Sequence, residues 1–232
     1  MDIKSQVEQK KQEPTPPPEL KLSTLPVTGT FIIVGPRACG KTTLANNICQ
    51  EVTQQARVKR TCVCFHAGLL PAITKNEYKV LLESRGNTVS ILAEEKEVDA
   101  TVANHLQKTA STAPSMRPTQ PDIMRVIFEE TKEQFWGNPR PCQLQLITVR
   151  QSLLQVDKRI RHACDWLFVS LAADDEDDDW DLTKQLSLLT QWFAPTTLVS
   201  QLQRLARSAQ AAKRRFLCMD VHASTDTAWF VL

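Results

Sequence analysis

The sequence predicts an α/β fold with a mostly parallel sheet, helices on both faces and a pair of strands at its C-terminal end. Apolar runs alternate with helix-like stretches between residues 31 and 171, as in chains built from strand–helix–strand units. The first run, residues 31–34, is continuously apolar, which is typical of a parallel strand covered on both faces. The last two apolar runs, residues 216–221 and 228–232, flank a polar turn at residues 224–226. They predict the closing strand pair.

The individual elements follow from apolar spacing. Helices are predicted where apolar residues recur every three or four positions, as Leu44, Ile48 and Val52 do. The predicted helices are residues 41–56, 75–82, 95–109 and 197–213. The predicted strands are residues 31–34, 60–65, 87–92, 123–128, 144–149, 166–171, 216–221 and 228–232. A stretch with three prolines, residues 111–121, is predicted to be a loop.

Length and composition predict one domain with a tail. The chain has 232 residues, and its first 26 are polar and include Pro16-Pro17-Pro18. Such a segment buries too little apolar surface to offset its ordering entropy. We therefore expect a flexible tail at residues 1–26 and a folded domain at residues 27–232.

Charge and cysteine content bound the class of protein. The net charge of +2 is too small to indicate nucleic acid by itself. Seven cysteines without a CxxC pair favour reduced thiols in an intracellular compartment. The N-terminus is not an apolar signal segment, and no run approaches the ~18 apolar residues of a membrane span. We expect a soluble intracellular protein.

A phosphate-binding loop follows the first strand. Residues 35–42, Gly-Pro-Arg-Ala-Cys-Gly-Lys-Thr, match G-x-x-x-x-G-K-[ST] at every specified position. Backbone N–H groups and the N-terminus of the next helix would hold the phosphates, Lys41 would reach the β- and γ-phosphates, and Thr42 would ligate Mg²⁺. The preceding strand and following helix argue against a chance Gly-containing turn.

The fold class is thus a P-loop NTPase, with ATP and Mg²⁺ as cofactors. The expected contact residues are Gly35, Pro36, Arg37, Ala38, Cys39, Gly40, Lys41, Thr42 and Thr43.

An acidic pair ends the strand predicted at residues 123–128. We assign Glu129 to Mg²⁺ and Glu130 to polarising the attacking water; the alternative is that both begin a solvated helix. The acidic run at residues 174–179 is interpreted as a solvated loop, because it does not sit at the tip of an apolar strand. A role in mimicking DNA charge or binding a basic partner is its alternative.

Polar residues also follow the strand at residues 144–149. Gln151 would lie beside the γ-phosphate, where it can bind the phosphate or the water, or it only caps the strand. Arg161 or Arg159 could stabilise transition-state charge, in a neighbouring subunit for example, or both are surface charges.

The order of these motifs resembles the poxvirus-type genome-packaging ATPases of the FtsK–HerA superfamily. The chain has a P-loop, a gap of roughly ninety residues, an acid-tipped strand, and then a strand followed by Gln151, Arg161 and a further apolar strand. The likeness covers residues 28–232. It departs from the family at Glu129-Glu130, where Asp-Asp or Asp-Glu is usual.

The resemblance implies ATP-driven movement of double-stranded DNA into a preformed capsid. It further implies a homo-oligomeric ring, usually a hexamer, with ATP sites between subunits and a trans-acting arginine. The expected partners are double-stranded DNA and capsid or portal vertex proteins. The expected location is the host nucleus or cytoplasm, or the virion.

Two other functions stay open from the residues alone. A small P-loop kinase would need an Arg-rich lid, and residues 51–121 contain no compact one. A nucleotide-binding switch or scaffold would turn over little ATP, in keeping with the unusual Glu129. The basic stretch at residues 204–215 could contact DNA phosphates or only complement a helix dipole.

Overall fold

The structure, a computed structural model, describes residues 17–55, 58–65, 83, 88–92, 95–111, 123–129, 143–172, 180–223 and 228–232. Within these residues one sheet of eight strands runs in the order β3-β2-β4-β5-β1-β6-β7-β8. The strands are β1 Gly29–Val34, β2 Val58–Phe65, β3 Thr88–Leu92, β4 Ile123–Glu129, β5 Leu144–Arg150, β6 Trp166–Ser170, β7 Phe216–Asp220 and β8 Trp229–Val231.

Five α-helices lie within the described residues. They are α1 Lys41–Gln55, α2 Glu95–Ser111, α3 Lys158–His162, α4 Leu182–Trp192 and α5 Val199–Ala211. Two short 3₁₀ turns occur at Leu22–Thr24 and Leu153–Gln155. None of these helices is long and apolar enough to cross a bilayer.

The first six strands are parallel to one another, and β7 and β8 are antiparallel additions beside β6. The predicted fold, a mostly parallel sheet with a closing strand pair, is therefore confirmed. Because parallel strands share a direction, their C-terminal ends form one edge of the sheet, here named the carboxyl edge. Their N-terminal ends form the amino edge.

Helices cover both faces of the sheet, as the alternation of side chains in β1 shows. Phe31 and Ile33 pack with Leu44 and Ile48 of α1 in one apolar cluster, named the α1-side cluster. Ile32 and Val34 belong to a second cluster, which holds buried apolar residues of α2, α4 and α5. Successive side chains of a strand point to opposite faces, so α1 lies on one face and α2, α4 and α5 lie on the other. This double cover explains why residues 31–34 of β1 are continuously apolar.

Two helices were missed by the sequence analysis. Helix α4 begins after Asp181, whose carboxylate accepts a hydrogen bond from the N–H of Lys184 at 2.9 Å. Asp at an N-cap before apolar residues spaced three and four apart is a helix signal, but the acidic run before it hid that boundary. Helix α3 has only five residues and an Asp157 cap. The predicted helix at residues 75–82 and the turn at 224–226 lie outside the described residues.

The predicted flexible tail is wrong for residues 17–26. Leu20 and Leu25 are buried in the α1-side cluster. The N–H of Leu20 donates to the carbonyl of Val231 at 2.9 Å, and the N–H of Val231 donates to the carbonyl of Pro18 at 3.0 Å. This segment therefore pairs with β8. Its two leucines are part of the core, although the segment that contains them is polar on average. Residues 1–16 lie outside the described residues.

Candidate nucleotide-binding site

The predicted phosphate loop joins β1 to α1 at the carboxyl edge. The N–H of Gly35 donates to the carbonyl of Arg150 at 3.2 Å, which fixes the start of the loop to β5. Ala38 and Gly40 have positive φ angles of 57° and 95°, so the backbone curls back before α1 begins. At Gly40, this left-handed conformation favours glycine over any residue with a Cβ.

Gly35 is required for a different reason, which is close packing. A Cβ at this position would lie 2.5 Å from the Cβ of Ser170 and 2.6 Å from the Sγ of Cys39. Ser170 ends β6, the strand beside β1. The loop therefore packs directly on its neighbouring strand, and a larger residue would push the two apart.

The Lys41 side chain turns inward. It is 8% exposed, and its Nζ donates to the carbonyls of Gly35 at 2.8 Å and Pro36 at 2.6 Å. The N–H of Leu44 donates to the carbonyl of Gly40, so the helix begins directly after the loop. A buried ammonium group and the N-terminus of a helix at one place suit a phosphate chain.

Glu129 reaches this loop from β4. The Thr42 hydroxyl donates to Oε1 of Glu129, although β5 lies between β4 and β1. Glu129 is the last residue of β4 and is two residues beyond Ile127, which packs in the α1-side cluster. Its side chain is therefore directed to the face on which α1 begins. A hydroxyl and a carboxylate oxygen in contact are hard ligands of the kind that Mg²⁺ prefers. Glu130 lies outside the described residues.

Gln151 follows β5 beside the loop. Its N–H donates to Oε1 of Gln155 at 3.1 Å, and the following turn is held by Gln185 of α4, which accepts from the N–H of Leu153 at 3.0 Å. Because β5 pairs with β1 and Arg150 lies opposite Val34, Gln151 emerges next to the phosphate loop. Its side chain is half-buried.

Two residues at the carboxyl edge were not singled out from the sequence. Arg150 is 5% exposed at the end of β5, and Ser170 is buried at the end of β6. The hydroxyl of Ser170 accepts from the N–H of Ala172 at 3.2 Å. Each is a polar residue that closes an apolar run, which is the same signal that identified Glu129.

Arg161 lies at the amino edge, away from its own phosphate loop. It precedes β6 by five residues, and strands of this length separate the two edges by roughly 20 Å. Its guanidinium carbon stacks 3.7 Å from the ring centroid of Trp192. The structure therefore does not bring Arg161 together with Lys41 and Glu129 in one subunit.

Arg159 forms a surface ion pair. Its Nε lies 3.1 Å from Oδ1 of Asp157, and the Arg159 side chain, by its hydrogen bond, lowers the pKa of the Asp157 carboxyl group. Such an exposed contact within one turn of chain contributes little to stability. This geometry fits the alternative interpretation, in which Arg159 is only a surface charge.

No family model and no curated protein matches the chain. Among solved structures, it is similar to the genome packaging NTPase B204 from Sulfolobus turreted icosahedral virus 2 in complex with AMPPCP. The TM-score is 0.53 at 12% identity, over 89% of this chain and 98% of that chain. The two chains share a fold. Similar values are found for B204, the DNA-packaging ATPase from Sulfolobus turreted icosahedral virus, with a TM-score of 0.53 at 11% identity, over 88% of this chain and 96% of that chain.

The B204 structures bear on the fold predicted from the resemblance. The match covers 98% and 96% of the two B204 chains and 89% and 88% of this chain, so the similarity extends well beyond the phosphate loop. The expectation of a P-loop NTPase fold like that of a packaging ATPase is confirmed. At this identity, the likeness carries the architecture and not the role of any single residue.

Proposed function

We propose that this chain is a Mg²⁺-dependent ATPase that moves double-stranded viral DNA into a preformed capsid. One observation carries the hydrolytic part of the proposal: the hydroxyl of Thr42, at the start of α1, contacts the carboxylate of Glu129, which comes from another strand. A phosphate loop with a carboxylate on its Ser/Thr is the arrangement that P-loop ATPases use to hold a metal–triphosphate. The fold shared with the genome packaging NTPase B204 supports the DNA-packaging part of the proposal.

The site residues have separate roles in this proposal. The loop of residues 35–43 binds the phosphates, and Lys41 leaves its carbonyl partners to neutralise the β- and γ-phosphates. Thr42 and Glu129 would hold Mg²⁺, which would neutralise negative charge on the phosphates. Glu130 polarises the attacking water, and Gln151 positions the water or senses the γ-phosphate.

Arg161 acts in this proposal on the nucleotide of a neighbouring subunit. Its place at the amino edge leaves it too far from its own phosphate loop. A guanidinium group supplied in trans stabilises charge that develops on the transferring phosphate. The functional unit is then a homo-oligomeric ring with capsid or portal vertex proteins as partners.

Exposed arginines on α5 are proposed to touch DNA. Arg204 and Arg207 are exposed and lie three residues apart, hence on one side of the helix. They sit in the middle of α5, whereas the helix dipole acts over the last turn, so dipole complementation explains them poorly. Binding through such residues would weaken as salt concentration rises.

The test of the proposed function is ATP hydrolysis by the purified protein with and without double-stranded DNA. We expect turnover that requires Mg²⁺, rises with DNA and is lost in Lys41→Ala. Turnover indifferent to DNA would favour the kinase alternative. ATP binding without turnover in either condition would favour a nucleotide-binding switch.

A second pair of variants tests the acidic site. Glu129→Gln keeps the shape of the side chain but loses its charge. We therefore expect weaker Mg²⁺ binding, so that activity needs a higher Mg²⁺ concentration, and a fall in kcat of about 100-fold or more. Glu130→Gln should lower kcat while leaving the Mg²⁺ concentration dependence unchanged. Equal metal dependence in wild type and Glu129→Gln would remove Glu129 from the metal site.

A further inference from the structure

A buried asparagine on α1 has no role in the proposed function. Asn46 is 8% exposed. Its Oδ1 is buried and makes no hydrogen bond to the part of the chain that the structure describes. A buried acceptor in this state lowers the free energy of unfolding, and buried polar side chains in folded proteins are usually hydrogen-bonded. The side chain therefore suits a donor that arrives with a bound group.

Asn46 lies one helical turn after Thr42, on the same side of α1. A helix has 3.6 residues per turn, so side chains four positions apart are neighbours. Each Cα–Cβ bond of a helix also tilts towards the N-terminus of that helix. The carboxamide of Asn46 is thus directed along α1 towards Thr42 and the end of the phosphate loop.

This side of α1 faces β4. The Thr42 hydroxyl contacts Glu129 at the end of that strand. Three residues after Asn46, Cys49 lies near Arg125, whose guanidinium opposes the rise that burial causes in the pKa of the Cys49 thiol. Glu129 and Arg125 are four residues apart on β4 and share one face of the sheet. Along the helix, Asn46 lies between these two contacts, so it belongs to the flank of α1 that carries Thr42 towards Glu129.

A carboxamide oxygen at this position suits the water shell of a divalent cation. Thr42 and Glu129 offer a hydroxyl and a carboxylate, and Mg²⁺ in nucleotide sites usually keeps several waters. A coordinated water donates hydrogen bonds, which Oδ1 can accept. Phosphate oxygens are acceptors and cannot donate to Oδ1. The chemistry of Oδ1 therefore favours a metal-bound water over the nucleotide itself.

We infer that Asn46 is a positioning residue of the metal site, whose Oδ1 accepts a hydrogen bond from a water bound to Mg²⁺. This inference rests on the proposed function and adds a residue from the second turn of α1 to the site of Thr42 and Glu129. Groups that hold the ligands of a metal typically change its affinity by about 10–100-fold. Asn46 acts through the water and does not touch the phosphates.

Three variants separate the acceptor from the packing. Asn46→Leu has nearly the same size and removes the acceptor, whereas Asn46→Asp keeps the shape and supplies only acceptors. The next residue, Asn47, is exposed on the same helix. Asn47→Leu is therefore a matched control for the higher helix propensity of leucine.

Mn²⁺ binding tests the role without any hydrolysis. Mn²⁺ accepts the same oxygen ligands as Mg²⁺, and the free ion is measured by its electron paramagnetic resonance signal. In the AMPPCP complex of the full chain, we expect Asn46→Leu to weaken Mn²⁺ binding about tenfold. Asn46→Asp should bind Mn²⁺ at least as tightly as the wild type, and Asn47→Leu should bind it equally.

Isothermal titration with AMPPCP in the absence of metal is the companion measurement. Because Asn46 acts through a metal-bound water, the Kd should be the same in all four proteins. Unchanged Mn²⁺ affinity in Asn46→Leu, an equal loss in Asn46→Asp, or an equal loss of metal-free AMPPCP binding would each overturn the inference.

Urea unfolding of the metal-free chain distinguishes a positioning role from a structural one. Asn46→Leu replaces an unpaired buried acceptor by an apolar group, so its unfolding midpoint should exceed those of the wild type and of Asn47→Leu. A side chain kept for function commonly lowers stability in this way. A lower midpoint in Asn46→Leu would assign Asn46 to the structure of the helix and overturn the inference.

Glu129→Gln in the same Mn²⁺ assay separates failure of the inference from failure of the proposed function. Weaker Mn²⁺ binding in Glu129→Gln together with unchanged binding in Asn46→Leu sinks only the inference. Unchanged binding in both variants, or a wild type whose AMPPCP complex binds no Mn²⁺, removes the metal site on which both depend.

Discussion

At the scale of single residues, the phosphate loop is shaped by two glycines with different constraints. Gly40 needs its left-handed φ of 95°, and a Cβ there would meet no atom within 4 Å. Gly35 needs space, because Ser170 and Cys39 stand where a Cβ would be. The first constraint is local to the backbone, and the second depends on a strand 135 residues later in the chain.

Gly35→Ala should weaken nucleotide binding about tenfold or more, because overpacking by one methyl group costs about 1–3 kcal/mol. Isothermal titration with AMPPCP would measure the loss. Adding Ser170→Gly removes the closer clash and should restore part of the affinity, whereas adding Ser170→Gly to Gly40→Ala should restore none. Equal recovery in both backgrounds would contradict the packing explanation.

Cys39 is the partly exposed member of the cysteines whose exposure the structure describes; Cys49, Cys62, Cys164 and Cys218 are buried. Burial also raises the pKa of Cys164 and Cys218 well above the ordinary thiol range, which leaves little reactive thiolate. We expect N-ethylmaleimide to block ATP binding through Cys39.

The measurement is the rate at which ATP binding is lost during treatment with this reagent. Cys39→Ala should slow the loss strongly, and bound AMPPCP should protect the wild type. An unchanged rate in Cys39→Ala would place the sensitive thiol elsewhere in the chain.

At the scale of elements, residues 18–25 act as a strap over the sheet edge at β8. The backbone bonds to Val231 and the buried Leu20 and Leu25 hold it, while the exposed Glu19–Arg214 pair at 3.0 Å contributes little. An unpaired edge strand invites pairing with other chains. The strap therefore both covers β8 and extends the α1-side core.

Truncation should separate the strap from the residues before it. Removing residues 1–16 should leave the free energy of unfolding unchanged, because the polar composition of this segment offers little apolar surface for burial. Leu20→Ala and Leu25→Ala should each cost about 2–4 kcal/mol in urea denaturation, as large-to-small changes in a core do. A comparable loss in the truncated chain would show that the first sixteen residues also pack.

Strands β4 and β5 are joined by a buried polar pair. Arg125 is fully buried, and its Nε donates to Oε1 of Gln145. Burial lowers the pKa of the Arg125 guanidinium, and nearby Cys49 opposes that change. Glu129 lies four residues beyond Arg125 on the same face, so this pair also helps to fix the strand that carries the proposed metal ligand.

Gln145→Leu should destabilise the fold by about 2–3 kcal/mol, because it removes a partner from a buried charge. The double variant Arg125→Met with Gln145→Leu replaces both groups by apolar ones and should recover much of that loss. Chemical denaturation of these two variants, of Arg125→Met alone and of the wild type completes the thermodynamic cycle. Additive losses would show that the two side chains are not coupled.

At the scale of the whole molecule, strand order separates the functions of the two edges. The phosphate loop, Glu129 and Gln151 converge at the carboxyl edge because β4, β5 and β1 are adjacent and parallel. Ligands commonly bind at this edge in parallel α/β sheets. Arg161 and Trp192 lie at the other edge, a strand's length away. One subunit therefore holds the two halves of the proposed hydrolytic site on opposite sides.

Arg161→Ala should leave ATP affinity unchanged within about twofold in dilute, monomeric protein, because the guanidinium is remote from its own nucleotide. Lys41→Ala should lose binding under the same conditions. Fluorescence titration with a labelled nucleotide, on samples shown to be monomeric by sedimentation, would measure both. Weaker ATP binding by the Arg161→Ala monomer would place this arginine within reach of its own site.

The sequence alone determined the features that depend on local patterns. Largely apolar runs predicted every described strand to within two or three residues, because a strand buried on both faces carries apolar side chains at successive positions of its own sequence. The phosphate loop at residues 35–42 could also be predicted from the sequence, because its glycines, lysine and threonine lie within eight consecutive positions. Helix α4 was missed because its acidic flank obscured the Asp181 cap.

Only the tertiary structure decided the features that join distant residues. The contact of Thr42 with Glu129 spans 87 positions and exists because β5 lies between β1 and β4, an order that no local pattern encodes. The same holds for Ser170 under Gly35, for the strap on β8 and for Arg161 at the opposite edge. Local periodicity sets which face of an element is buried, whereas strand order and direction set which elements meet.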